Sequence, residues 1–129
     1  HLAPRCDAHS MGDESPLETF GYVARELGKR SIAFICTREH FDGTEITPEI
    51  KKQFAGVVIA NENFTKELAD QVIAEGTVDA VAFGKKIIAN PDLVRRFSEG
   101  SELNPPNPKT FYGDSAEGYT DYPFLENRI

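Results

Sequence analysis

Three short apolar runs, Ile32-Ala33-Phe34-Ile35-Cys36, Val57-Val58-Ile59-Ala60 and Ala80-Val81-Ala82-Phe83, constrain the fold of this chain more than any other feature. A strand that is apolar at every position suits a sheet covered on both faces, as parallel sheets are. Helical stripes separate these runs. Ser15-Pro16-Leu17-Glu18 opens the first, with Ser15 as cap, Pro16 at the first helical position and Glu18 placed for a capping box. Leu17, Phe20, Ala24 and Leu27 then recur at helical spacing up to a stop near Gly28. Thr47-Pro48-Glu49 opens a shorter helix with Ile50 and Phe54 as its stripe. Thr65 caps a third, whose Leu68, Ala69, Val72 and Ile73 face inward before Gly76. Asn90-Pro91 caps a last one carrying Leu93, Val94 and Phe97, which ends near Gly100. Strand and helix alternate with short connections, so the strands are expected to be parallel with helical crossovers.

Two architectures meet this requirement, an open doubly wound sheet and a (β/α)₈ barrel. No glycine-rich dinucleotide fingerprint follows any of the runs, which favours the barrel. A complete barrel takes about 250 residues, so the 129 residues here suffice for about half of one. Residues 1–103 are expected to form that barrel part. From Asn104 to Tyr122 the periodicity vanishes, yet Phe111, Tyr112, Tyr119 and Tyr122 are too many aromatics for a disordered linker. Residues 104–129 are therefore expected to be an ordered irregular tail packing on the barrel.

Charge and cysteine usage narrow the function. With 14 Lys+Arg against 21 Asp+Glu the chain lacks the basic footprint of nucleic-acid binding. Its apolar runs are far shorter than the ~20 residues that span a bilayer. The start, His1-Leu2-Ala3-Pro4, has neither the basic head nor the apolar stretch of a secretory signal. Cys6 and Cys36 show no tight spacing and read as reduced structural thiols of a cytoplasmic protein. The strand-like start without an initiator Met reads as a truncated or proteolysed chain. His1, Cys6, Asp7 and His9 fit no familiar zinc spacing, so no metal is expected. Asp13 and Glu14 read as charges at a helix start.

In a barrel, chemistry collects on the loops after the C-terminal ends of the strands, and phosphate commonly binds after the last two. Here those loops begin Asn61-Glu62-Asn63 and Gly84-Lys85. Gly84 would let the backbone approach a phosphate, and Lys85 would add positive charge. Equally, Gly84 could be a tight strand exit and Lys85 a solvated charge. Spacing alone also leaves open a phosphate-binding isomerase or lyase barrel, or a non-catalytic half-barrel assembly module.

Longer motifs go further. Asp79-Ala80-Val81-Ala82-Phe83-Gly84-Lys85 followed by Ile88-Ala89-Asn90-Pro91-Asp92-Leu93 resembles the signature of the old yellow enzyme family. So does Phe111-Tyr112-Gly113 with Ala116-Glu117-Gly118-Tyr119-Thr120-Asp121-Tyr122-Pro123, and the look is nearest to its N-ethylmaleimide reductase or xenobiotic reductase branch. His1-Leu2-Ala3-Pro4-Arg5 is similar to the end of the family's fifth strand. The resemblance implies the C-terminal half of a TIM barrel, from the end of strand five through helix eight, with strands six to eight starting near Ile32, Val57 and Ala80. It implies an enzyme: FMN as cofactor, NAD(P)H as reductant, and an activated alkene such as an enone or maleimide as substrate. The FMN phosphate would be held at Asn61, Glu62, Gly84 and Lys85, with Glu62 turning its carboxylate away. Lys85 stands where the family usually has arginine, and the loop Asn61-Glu62-Asn63 departs from the small residues usual there. His1 falls where relatives place an arginine near the flavin ring. Tyr112 matches a substrate-lining tyrosine. The proton-donating tyrosine and the pair gripping the substrate oxygen belong to the family's earlier strands, so no catalytic residue is expected in this chain. By itself it is expected to be inactive, and to self-associate or stay bound to the N-terminal half of the barrel.

Overall fold

The computed structural model describes residues 1–5 and 12–126. It divides into two compact units, His1–Ala82 and Phe83–Ile129.

The first unit is built on a parallel sheet. In chain order it holds α1 (Pro16–Gly28), β1 (Phe34–Arg38), α2 (Thr47–Phe54), β2 (Val57–Asn61), α3 (Lys66–Ala74) and β3 (Ala80–Ala82). The strands lie in the order β1-β2-β3, with α2 and α3 as the crossovers. The register pairs Arg38 with Asn61 and Asn61 with Ala82, so the strands finish level at one edge. Leu2 extends the sheet beyond β1: its N–H donates to the Cys36 carbonyl (2.8 Å) and its carbonyl accepts from Arg38 N–H (2.8 Å). A fourth parallel position at that end agrees with reading His1-Leu2-Ala3-Pro4-Arg5 as a strand end.

The two faces of the sheet differ. Ile35, Thr37, Val58 and Ala60 are buried, together with Ala24, Ile50, Phe54, Phe64, Ala69 and Val72 from the helices and loops. The alternate positions Phe34 and Val57 remain 52 % and 46 % exposed. Apolar residues on both faces are the pattern expected of a sheet buried on both sides, and among the described residues the second face is covered only in part, Cys36 and Ile59 being half-buried. Asp79 ties the start of β2 down. Its Oδ2 accepts from Val58 N–H (2.8 Å) and its Oδ1 from Lys51 Nζ (3.1 Å). The Val58 N–H, followed by Lys51, holds the Asp79 carboxyl below the usual carboxylate range. Gly28 is required by contact: a Cβ there would lie 2.5 Å from the Phe54 carbonyl, where the ends of α1 and α2 meet.

Helix starts depart from expectation in instructive ways. Thr65 caps α3 as the sequence indicates, accepting from Leu68 N–H (3.1 Å). Ser15 makes no side-chain cap bond; Asp13 accepts from Ser15 N–H instead (2.7 Å). The cap of α2 comes from a distance. Glu39, 2 % exposed, accepts from Ile46 N–H (2.9 Å), Thr47 N–H (2.8 Å) and the Thr47 hydroxyl (2.6 Å). Ile73, read as inward-facing, is 43 % exposed, and Leu17, read as part of the helical stripe, is 51 % exposed. β1 begins at Phe34 rather than Ile32, with Ser31 in the left-handed region after α1.

The second unit holds α4 (Lys85–Ala89), α5 (Leu93–Glu99) and the irregular tail. The sequence reading missed α4, because five residues are too few to show a stripe. Asn90 does not cap α5. It is fully buried, its Nδ2 donates to the Lys86 carbonyl (2.9 Å), and its Oδ1 accepts from Asn104 N–H (2.7 Å). Val94, read as apolar stripe, is 80 % exposed. Arg96 and Asp92 form a buried pair (2.7 Å), and Arg96 also donates to the carbonyls of Glu102 (2.6 Å) and Pro123 (3.0 Å). Asp92 accepts from Leu125 N–H (2.7 Å), the main reason its carboxyl lies below the ordinary range. Tail geometry depends on Gly118, which sits at φ +62 with Thr110 where a Cβ would go. Both the backbone and the collision oppose a side chain. Gly118→Ala should therefore loosen the segment from Asn107 to Asp121, seen as faster amide exchange there with α5 unchanged.

Candidate functional site

A parallel sheet brings the loops after its strands to one edge, and that edge is where barrel chemistry gathers. Here it carries Arg38, Glu39, Asn61 and Glu62. The Asn61 side chain donates to the Ala82 carbonyl (2.8 Å) and its own carbonyl accepts from Glu39 N–H (3.0 Å). Its amide is thus committed to holding the strand ends together. Glu62 follows at φ +107 and Asn63 at φ +55, conformations that favour glycine. The Glu62 carboxylate does not face the loop unaccompanied: Arg38 Nε lies 2.5 Å from its Oε2. The register explains the pairing, since Arg38 is the partner of Asn61 and Glu62 is the next residue.

A second cluster lies on the loop after β1. Arg5 Nε donates to Glu39 (2.7 Å), and its other nitrogens reach Asp42 (3.2 Å), the Thr44 hydroxyl and the His40 carbonyl. Asp42 also accepts from the Thr44 hydroxyl (2.7 Å) and the Thr44 N–H (3.1 Å). Those bonds, then Arg5, lower the Asp42 carboxyl to about 2. A depressed carboxylate stabilises the loop fully above its ordinary pKa of 3.8 and loses that contribution as pH falls through about 2. Carboxyl NMR shifts across an acid titration should place the Asp42 midpoint near 2, with Thr44 amide protection following it. A midpoint near 3.8 would contradict this arrangement.

His1, read as a flavin contact, is exposed beside the Leu2 bridge. In the second unit Gly84 is the residue before α4, at φ −87, and a Cβ built there meets nothing within 4 Å. Neither backbone conformation nor packing demands glycine at this position. Lys85 is exposed. Tyr112 is 79 % exposed, packs edge-on to Tyr119 (5.6 Å between ring centroids), and takes φ +60, a genuine outlier for a bulky residue. Cys36 is half-buried and burial pushes its thiol up, as suits a structural thiol. Cys6, Asp7 and His9 lie outside the described residues. Among the described residues no His, Cys, Asp and Glu side chains group to hold a metal, and no helix is long and apolar enough to cross a membrane. A cleft of about 640 Å³ between α1 and α2 is lined by helix flanks, with Arg25 over the Tyr22 ring, and adds no chemistry to the strand edge.

Comparison with known proteins decides the family. No family model matches the chain. A Leishmania infantum protein described as "Probable flavin mononucleotide-dependent alkene reductase" is 35% identical over 130 residues, 96% of this chain and 35% of its own length. The solved old yellow enzyme homologue of Zymomonas mobilis superposes with a TM-score of 0.90 at 36% identity, over 96% of this chain and 37% of that one. The chain is an old yellow enzyme-type sequence. Morphinone reductase in complex with tetrahydroNAD matches at 39% identity and a TM-score of 0.88, over 98% of this chain and 35% of its own. The fold expectation is met: neighbours of the old yellow enzyme family share the parallel strand-helix order along nearly the whole chain. The chain spans about a third of the length of the old yellow enzyme-type relatives it matches. Sequence reasoning missed Arg5, Arg38 and Glu39. A charged run directly behind an apolar strand, Arg38-Glu39-His40, was the available signal.

Proposed function

We propose that this chain supplies the phosphate-binding part of an FMN-dependent, NAD(P)H-consuming reductase of activated alkenes, such as enones or maleimides. The observation that carries the reading is the homology to a flavin mononucleotide-dependent alkene reductase over 96% of the chain. The old yellow enzyme homologue and the tetrahydroNAD complex of morphinone reductase support it. The residues fit the cofactor. Gly84 leaves its backbone accessible, Lys85 adds charge, and the one carboxylate in the loop, Glu62, is held by Arg38. Backbone N–H groups at Asn61, Glu62, Gly84 and Lys85 would hold the phosphate, with His1 near the ring. Bound FMN would supply hydride chemistry between a nicotinamide and the alkene β-carbon.

The strand edge positions the phosphate loops, and Tyr112 lines and orients substrate rather than moving a proton. Gly84→Val should fold as the wild type does, because its Cβ enters open space. In the complete polypeptide it should nonetheless lose FMN retention by at least about tenfold, read by flavin fluorescence after dialysis. Full retention would displace the phosphate from this position. For the activity itself, anaerobic turnover of N-ethylmaleimide and 2-cyclohexenone by the complete polypeptide that carries this chain, with NADPH or NADH, should give the saturated products. Turnover of phosphosugars instead would favour the isomerase or lyase reading. Tyr112→Phe should alter KM for the alkene while largely preserving kcat; a collapse of kcat alone would make Tyr112 a proton donor.

A further inference from the structure

Glu62 is an unexpected residue in an anion-binding loop. It is negatively charged, and it occupies a left-handed backbone position that glycine adopts without strain. A carboxylate facing a phosphate would oppose binding. The structure nevertheless buries much of this side chain, 17 % exposed, against the guanidinium of Arg38. Arg38 comes from the neighbouring strand and reaches Glu62 only because β1 and β2 end in register. Resting on the FMN reading above, we propose that Arg38 and Glu62 form a charge-compensating pair, in which Arg38 sequesters the Glu62 carboxylate and keeps the loop after β2 receptive to a phosphate monoester. Arg38 is a positioning residue in this account: it acts on the ligand through Glu62.

The pair makes a demand that a simple phosphate-binding arginine does not. Loss of Arg38 should be harmful because Glu62 remains, and removing Glu62 as well should undo the harm. One uncompensated negative charge near a dianion in a water-like medium changes affinity on the order of tenfold. Glu62→Gln is isosteric, and Arg38→Gln removes the charge while keeping a polar side chain. The complete polypeptide that carries this chain, freed of flavin, would be titrated with FMN and with riboflavin, which lacks the phosphate.

Arg38→Gln is expected to weaken FMN about tenfold and to leave riboflavin within twofold. Glu62→Gln should leave FMN affinity equal or improved, and Arg38→Gln/Glu62→Gln should return to within about threefold of wild type. If the double variant is as weak as Arg38→Gln, Arg38 contacts the phosphate directly and the compensation idea fails. Equal losses for FMN and riboflavin would show a merely structural role and also overturn it. Wild-type protein that binds both flavins equally would remove the phosphate site itself, and the proposal with it.

Discussion

Glu39→Ala is expected to destabilise the first unit by about 3–5 kcal/mol, on the order of 1–3 kcal/mol for each donor left unsatisfied. The carboxylate is 2 % exposed and serves groups from different parts of the chain: Arg5, Ile46 N–H, Thr47 N–H and the Thr47 hydroxyl. Removing it strands the first backbone N–H groups of α2 and takes away one of the two carboxylates that hold Arg5, leaving Asp42 as the other. It also removes the Nε bond of Arg5 to the loop after β1, while the bonds to His40, Asp42 and Thr44 remain. Glu39→Gln should recover part of the loss, since one oxygen acceptor survives while the amide nitrogen meets donors. Urea denaturation of both variants measures this. A loss below about 1 kcal/mol for Glu39→Ala would mean that water replaces the carboxylate and the site is wetter than described.

The corresponding position in the second unit is Arg96. Arg96→Met should cost about 3 kcal/mol and detach the tail, because three tail or helix acceptors depend on one guanidinium. Methionine fills comparable volume, which separates lost bonding from lost packing. The expected signature is rapid exchange of the Leu125 amide, now bonded to Asp92 (2.7 Å), along with mobility from Pro105 onward. Retained protection there would assign the tail's order to its aromatic contacts instead.

How much of this was legible in the sequence depends on the range of the interactions. β2 and β3 begin where their apolar runs begin, because an unbroken run fixes a buried strand locally. Thr65 was readable as a cap for the same reason, its partner lying three residues ahead. The cap of α2 was not, since Glu39 lies eight residues from Thr47 and belongs to the previous strand's exit. Helix sides were misjudged at Leu17, Ile73 and Val94, where periodicity shows a stripe but not what covers it. The family came from two long motifs, and the site residues came with it rather than from spacing. Arg38 stayed hidden because its meeting with Glu62, 24 residues on, is made by sheet register alone.

The central claim is that these residues hold the phosphate end of a flavin. The most direct measurement is the absorption spectrum of the complete polypeptide after desalting, followed by identification of the flavin released on heating. The account predicts a yellow protein with about one FMN per polypeptide, the phosphate intact, and loss of that colour in Gly84→Val. A protein that purifies colourless, and does not bind added FMN more tightly than riboflavin, would contradict it.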